Sequence, residues 1–346
     1  MYYILLNALR SVIGQDKAVH LIASAFYTHY VSCFSGERNL PRTNIMLCGN
    51  SGCGKTYIAR KAAEALGLNV IVIDCSMLTQ QGYRGLNLSQ AIYNSWKNCD
   101  YLNRKNFRYS VIILDEFDKI VDNLTREARG NPIFDFLPLL DGRYKLDLSE
   151  FREKGYVDLS ECMVILTGAC YGMKRKKSEI INKNKNIIGF RRKETNDIDD
   201  FPENSESITE KDMIDYGVPP EILGRISQII NINPLSRSDL AKIICCSEDS
   251  VFNKYKRFFA MHDIRLRITA AAKNAVAEIA IHKETGARAL NAVIEALLLP
   301  EIETMFENKN IDEMVISYNK YKGIYIRYKY FETQKDKWIE KRDIAV

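Results

Sequence analysis

The segment Gly49-Asn50-Ser51-Gly52-Cys53-Gly54-Lys55-Thr56 constrains this chain more than any other. It fits the pattern G-x-x-x-x-G-K-[ST], whose glycines let a loop turn its backbone N–H groups inward around phosphate oxygens. Such a loop works only where a strand leads in and a helix leads out. Both neighbours fit. Asn44–Cys48 is a short apolar run, and Tyr57–Leu66 carries apolar residues at helical spacing among strong helix formers. The helix N-terminus adds partial positive charge to the loop. Lys55 is expected to reach the β- and γ-phosphates of a nucleotide, and Thr56 to offer its hydroxyl to Mg²⁺.

The rest of the chain supplies the sheet that such a loop needs. Strand-like runs at Asn44–Cys48, Asn69–Cys75, Ser110–Asp115, Cys162–Thr167 and Ile229–Ile232 alternate with helical stretches. Apolar, β-branched strands in that alternation predict an α/β fold with a parallel sheet between helices. After Pro234 the pattern turns helical, from Arg237 to Phe259 and from Ala270 to Phe306, the second interrupted at Gly286. Two late strand-like runs, Glu313–Tyr318 and Gly323–Tyr330, close this part. The expected organisation is a large nucleotide-binding domain over 1–234, a smaller, mostly helical domain over 235–330, and a tail over 331–346. Between Tyr171 and Met213 a basic block (Lys174 to Lys177) and an acidic one (Asp197 to Glu206) mark a charged insertion at about 174–210.

A length of 346 residues suits two domains better than one core. No apolar run approaches the ~18 residues that span a membrane, and the N-terminal residues lack a signal-peptide pattern. The net charge of +5 is too mild to demand a nucleic-acid partner. The tyrosines and lysines of Tyr318–Tyr330 read as the outer face of a strand. Nine cysteines without a Cys-x-x-Cys pair fit reduced thiols, a cytoplasmic location and no zinc.

A second half of the site follows downstream. Val111-Ile112-Ile113-Leu114-Asp115-Glu116 is an apolar strand ending in two acids. An aspartate there holds Mg²⁺ in phosphate-loop enzymes, and the carboxylate beside it can polarise an attacking water, which points to hydrolysis.

Further motifs stand in a fixed order around these two: Val12-Ile13-Gly14-Gln15, Gly82-Tyr83-Arg84-Gly85, LDEFDK at Leu114–Lys119, Ile188-Gly189-Phe190, PPEILGR at Pro219–Arg225 and TGAR at Thr285–Arg288. With the phosphate loop they resemble the AAA+ ATPases of the Clp family, in particular the ClpX type of protein unfoldase, from Val12 to about Ile316. The resemblance implies a homohexamer that binds ATP and Mg²⁺ and threads unfolded or tagged proteins through its pore into a ClpP-type peptidase. It implies that Val12 and Ile13 line the adenine pocket and that Thr167 stands at the sensor-1 position. Arg225 becomes a finger inserted into the neighbouring subunit's site, and Arg288 the sensor-2 arginine. A guanidinium suits both tasks, being always charged and able to grip phosphate oxygens bidentately.

Tyr83, flanked by Gly82 and by Arg84-Gly85, would grip polypeptide in the pore through its wide apolar face. Thr125–Asn131 would supply a second pore loop, and Ile188-Gly189-Phe190 would dock on the peptidase. The family typically has valine where Arg84 stands. Its Arg-Lys-His loop is not recognisable between Asp141 and Glu161, and its N-terminal zinc domain is not in this sequence. Two other functions share the motifs: a remodelling chaperone acting without a peptidase, and an AAA+ ATPase directed at nucleic acid. The aromatic pore loop speaks against the second.

Overall fold

In the computed structural model, residues 1–37, 40–78, 86–100, 104–124, 132–169, 207–247, 249–283, 285–308, 310–330 and 339–340 are described. They form two compact units. The first comprises Met1–Leu9, Lys17–Gly49 and Lys55–Ile232; the second comprises Arg10–Asp16, Asn50–Gly54 and Asn233–Val346.

The first unit is a parallel sheet between helices. Its strands are β1 (Ile45–Cys48), β2 (Val70–Asp74), β3 (Val111–Asp115), β6 (Met163–Gly168) and β7 (Gln228–Asn231), in the order β2-β3-β6-β1-β7. Every pairing is parallel. The β-branched runs of the sequence explain this: β1 and β6 are buried along their whole length, as parallel strands covered on both faces must be. Helices α1 (Tyr2–Leu9), α2 (Asp16–Phe34), α3 (Lys55–Ala65), α4 (Leu88–Asn98) and α5 (Phe117–Leu124) flank the strands, with a short α6 at Leu137–Leu140. Phe107, Phe117 and Phe136 are fully buried in the core on which the sheet rests. A small hairpin, β4 (Lys145–Asp147) with β5 (Tyr156–Asp158), was not apparent from the sequence. Two further short helices, α7 (Glu210–Tyr216) and α8 (Pro220–Leu223), precede β7. A Thr209/Asp212 capping box opens α7, and a proline opens α8, where its missing N–H is harmless.

In the second unit the helices are α9 (Arg237–Cys246), α10 (Val251–Ala260), α11 (Ala270–His282), α12 (Ala287–Leu298) and α13 (Pro300–Glu307). They pack on a sheet ordered β11-β10-β9-β8, formed by β8 (Arg265–Ile268), β9 (Ile311–Asn319), β10 (Gly323–Tyr330) and β11 (Ile339–Glu340). The helical stretch from Arg237 to Phe259 is two helices, not one. Ser250 ends the first by donating to the Ile244 carbonyl at 2.8 Å and starts the second by accepting from Asn253 N–H at 3.1 Å. β8 reads Arg-Leu-Arg-Ile, too short an alternation to stand out.

The segment 10–16 joins this unit through Gln15, which is buried. Its amide exchanges two bonds with the backbone of Asn233, at 2.8 and 2.9 Å. No described helix is long and apolar enough to cross a membrane.

Candidate functional site

Parallel pairing puts the C-terminal ends of β1, β3 and β6 along one edge of the sheet. Cys48 lies beside Gly168, and Leu114 lies beside Leu166. The Gly49 N–H donates to the Gly168 carbonyl at 3.2 Å, which fixes where the phosphate loop departs. Lys55 opens α3 and folds its side chain back, donating from Nζ to the Gly49 carbonyl at 2.8 Å. The next residue, Thr56, donates its hydroxyl to Asp115 Oδ2 at 3.0 Å. Thr167, fully buried in β6, donates its hydroxyl to Asp115 Oδ1. Asp115 thus gathers Thr56 and Thr167 from two elements more than fifty residues away on either side. A hydroxyl and a carboxylate side by side are hard oxygen ligands of the kind Mg²⁺ takes alongside phosphates and water.

Glu116 follows with φ of 54°, one of three non-glycine residues at positive φ among those described. A left-handed glutamate at a strand end is held there by its surroundings, and such strain gathers at functional sites. Its own N–H donates to Asp115 Oδ1 at 3.1 Å. The local field is negative. Burial first, and then the charges of Asp74, Asp115, Asp118 and Glu116, push the Cys75 thiol well above its ordinary pKa.

The loop residues Asn50–Gly54 belong to the second unit, as do Val12 and Ile13, both half-buried, and Arg288. Backbones meet here directly. The Ala287 N–H donates to the Gly52 carbonyl at 3.1 Å. A Cβ on Gly52 would lie 2.0 Å from the Thr285 carbonyl oxygen, and one on Gly286 would lie 2.9 Å from the Gly52 oxygen. Only glycine fits at either place. The contact brings Arg288 against the loop, with Nη1 donating to Ser51 Oγ at 3.3 Å. Cys53 is buried.

Comparison with known proteins agrees with this fold. The profile of the ATPase family associated with various cellular activities (AAA) matches residues 45–192, and that of the C-terminal, D2-small domain of ClpB protein matches residues 235–316. The chain is similar to the ATP-dependent Clp protease ATP-binding subunit ClpX of Porphyromonas gingivalis, with 28% identity over 314 residues, 86% of this chain and 76% of the relative. It is 29% identical over 320 residues to the protein of that name from Azotobacter vinelandii, covering 86% of this chain and 71% of the relative. With that of Bacteroides fragilis the identity is 26% over 330 residues, 90% of this chain and 78% of the relative. Over 86% of its length the chain is similar to ClpX-type AAA+ ATPases. It is therefore an ATPase, and its fold is the α/β arrangement expected from the alternating strands.

One arginine of this ATPase lies far from the edge just described. Arg225 precedes β7, at the N-terminal end of the sheet. The Asn44 side-chain amide donates to the Arg225 carbonyl at 3.2 Å, and the Ser227 N–H donates to the Asn44 carbonyl at 2.7 Å. Asn44 immediately precedes β1, whereas the phosphate loop follows it, so the four residues of β1 separate Asn44 from Gly49, a rise of about 16 Å. Arg225 makes an ion pair with Asp141, a residue the sequence reading did not single out. An aspartate before a glycine carries only turn chemistry as its signal. Residues 82–85, 125–131 and 188–190, the expected pore and docking loops, lie outside the described residues.

Proposed function

We propose that this protein is the ATP-binding subunit of a Clp-type protease, a ring-forming unfoldase that pulls polypeptide through its centre toward a ClpP-type peptidase. The observation that carries the hydrolytic half is the meeting of Thr56, Thr167 and Glu116 N–H on the Asp115 carboxylate. In this reading Asn50–Gly54 cradle the phosphates of ATP, Lys55 pairs with their charge, and Val12 and Ile13 border the adenine. Thr56 and Asp115 hold Mg²⁺, which supplies charge neutralisation at the phosphates when bound. Glu116 orients and polarises the attacking water. Thr167 and Arg288 read the state of the nucleotide.

The place of Arg225 supports assembly. An arginine at the N-terminal end of the sheet lies at the opposite end of β1 from its own chain's phosphate loop, and a guanidinium that serves catalysis from there would serve a neighbouring copy. Work on polypeptide falls to Tyr83, in the segment Gly82–Gly85, and coupling to the peptidase falls to Ile188-Gly189-Phe190. Substrate domains are held by only about 5–15 kcal/mol, so repeated pulls suffice to unfold them.

The test is degradation of a folded, tagged reporter by the purified protein with ATP and a ClpP-type peptidase, using Glu116→Gln as the control. ATP-dependent loss of the reporter, absent in the control and in Tyr83→Ala, is expected. Unfolding without degradation would move the function to peptidase-free remodelling. ATP turnover that responds to DNA and ignores unfolded protein would overturn the proposal.

A further inference from the structure

We infer that Asp141 is the positioning residue of the Arg225 finger, presenting its guanidinium with one pair of N–H groups left over for a phosphoryl group. The inference rests on Arg225 acting on a neighbouring subunit's nucleotide. A guanidinium carries five N–H donors in a rigid plane. Nε donates to Asp141 Oδ1 at 2.5 Å and Nη2 to Asp141 Oδ2 at 3.3 Å, so the carboxylate covers one edge of the fork. Nη1 donates to the Glu221 carbonyl at 2.5 Å. Among the described residues these acceptors leave one N–H on Nη1 and one on Nη2, which is the complement needed to grip two phosphate oxygens at once.

Both ends of the clamp are anchored in the core. Asn44 is buried, and its amide nitrogen donates at 3.0 Å to the Leu140 carbonyl and at 3.2 Å to that of Arg225. Its Oδ1 accepts from the Val164 N–H of β6 at 3.1 Å. Arg42 ties the same turn, donating to the Leu139 carbonyl at 2.8 Å and to the Ser160 carbonyl at 2.6 Å. One buried amide therefore fixes the backbone of the finger and the backbone just before its partner. An ordinary exposed ion pair has no such frame, and it contributes little. The donors of Arg225 first, and those of Arg143 second, hold the Asp141 carboxyl below its usual range, so it stays charged at neutral pH.

The experiment is steady-state ATP hydrolysis by the assembled full-length protein carrying Asp141→Asn, Asp141→Glu, Arg225→Ala or Arg225→Ala with Asp141→Asn. Misplacing a catalytic group by about 1 Å costs on the order of 10²-fold, so Asp141→Asn should lower kcat by roughly 10–100-fold. KM for ATP should stay within about twofold, because the finger's grip is made in the transition state and not on the bound ground-state nucleotide. Asp141→Glu keeps a carboxylate within reach and should recover part of kcat. The double variant should be no slower than Arg225→Ala alone.

A fall in kcat for Arg225→Ala with none for Asp141→Asn overturns the positioning role and leaves the finger standing. Near-normal turnover by Arg225→Ala removes the finger itself. A double variant markedly slower than Arg225→Ala gives Asp141 a separate role and also overturns the inference. If Asp141→Asn melts far below the parent, the comparison passes to Asp141→Glu, where a loss of kcat as deep as that of Arg225→Ala would refute it.

Discussion

The left-handed Glu116 leads to a prediction in which stability and turnover separate. Its φ of 54° places a side chain where L-residues other than glycine carry a cost of roughly 1–2 kcal/mol, because Cβ crowds the neighbouring carbonyl. Two backbone bonds help to hold the turn: the Glu116 N–H to Asp115 Oδ1 at 3.1 Å, and the Lys119 N–H to the Glu116 carbonyl at 3.0 Å. Neither needs the glutamate side chain, so both survive in Glu116→Ala and in Glu116→Gly. The difference between those two variants isolates the Cβ. In regular helix or strand alanine is the more stable by roughly 0.5–1 kcal/mol.

Here the order should invert. Relief of about 1–2 kcal/mol of strain, less the roughly 0.4–1 kcal/mol that glycine loses by loosening the unfolded chain, leaves Glu116→Gly ahead by about 0.5–1 kcal/mol. Urea unfolding without nucleotide measures this, since bound ATP would stabilise the variants unequally. Both variants should hydrolyse ATP on the order of 10²–10⁴-fold more slowly than the parent. If Glu116→Ala proves as stable as Glu116→Gly, the backbone strain is not there. If either variant turns over at the parental rate, the carboxylate has no part in the chemistry.

Two further outcomes test other parts of the molecule. His29 is buried on α2, 3.2 Å from the Tyr109 carbonyl; burial lowers its pKa from 6.5 to about 4 against the raising effect of that bond. The fold therefore takes the neutral ring, and its stability, intact above about pH 6.5, should fall as the pH drops toward 4, by up to about 3 kcal/mol. His29→Gln should flatten the curve of unfolding free energy against pH between 7 and 4.5, and parallel curves would refute the assignment. Gly286→Ala places a Cβ 2.9 Å from the Gly52 carbonyl oxygen at a residue with φ of 54°, so the 285–287 turn must leave the phosphate loop. Nucleotide binding, followed with a fluorescent ATP analogue, should weaken by roughly tenfold, the equivalent of about 1.4 kcal/mol of strain, and unchanged affinity would show that the contact is dispensable.

What could be read from the chain, and what could not, divides by the range of the physics. Strand edges and the loop after β1 depend on apolar runs and glycines a few residues apart, and the observed strands lie within about two residues of the expected ones. The break at Ser250 was missed because a serine inside a helical pattern signals a cap only when its acceptor and donor are both in place. β8 was missed because four residues gain strand character only from pairing with β9.

The site shows the same division more sharply. Asp115 and Glu116 were legible as types, two acids after an apolar strand. That Asp115 collects the hydroxyls of Thr56 and Thr167 depends on the register of β3 with β6 and on where α3 begins. The left-handed turn at Glu116 has no sequence signal at all, since glutamate is a residue that local propensity would never place there. Departures of that kind are where a chain gives up local consistency for chemistry. The Arg225 clamp carries the point further. Its arginine stood in a readable motif, but its partner lies in a turn 84 residues earlier and its frame on an asparagine 181 residues earlier. Residues that do chemistry can be marked by their neighbours in sequence; residues that aim them are marked only by neighbours in space.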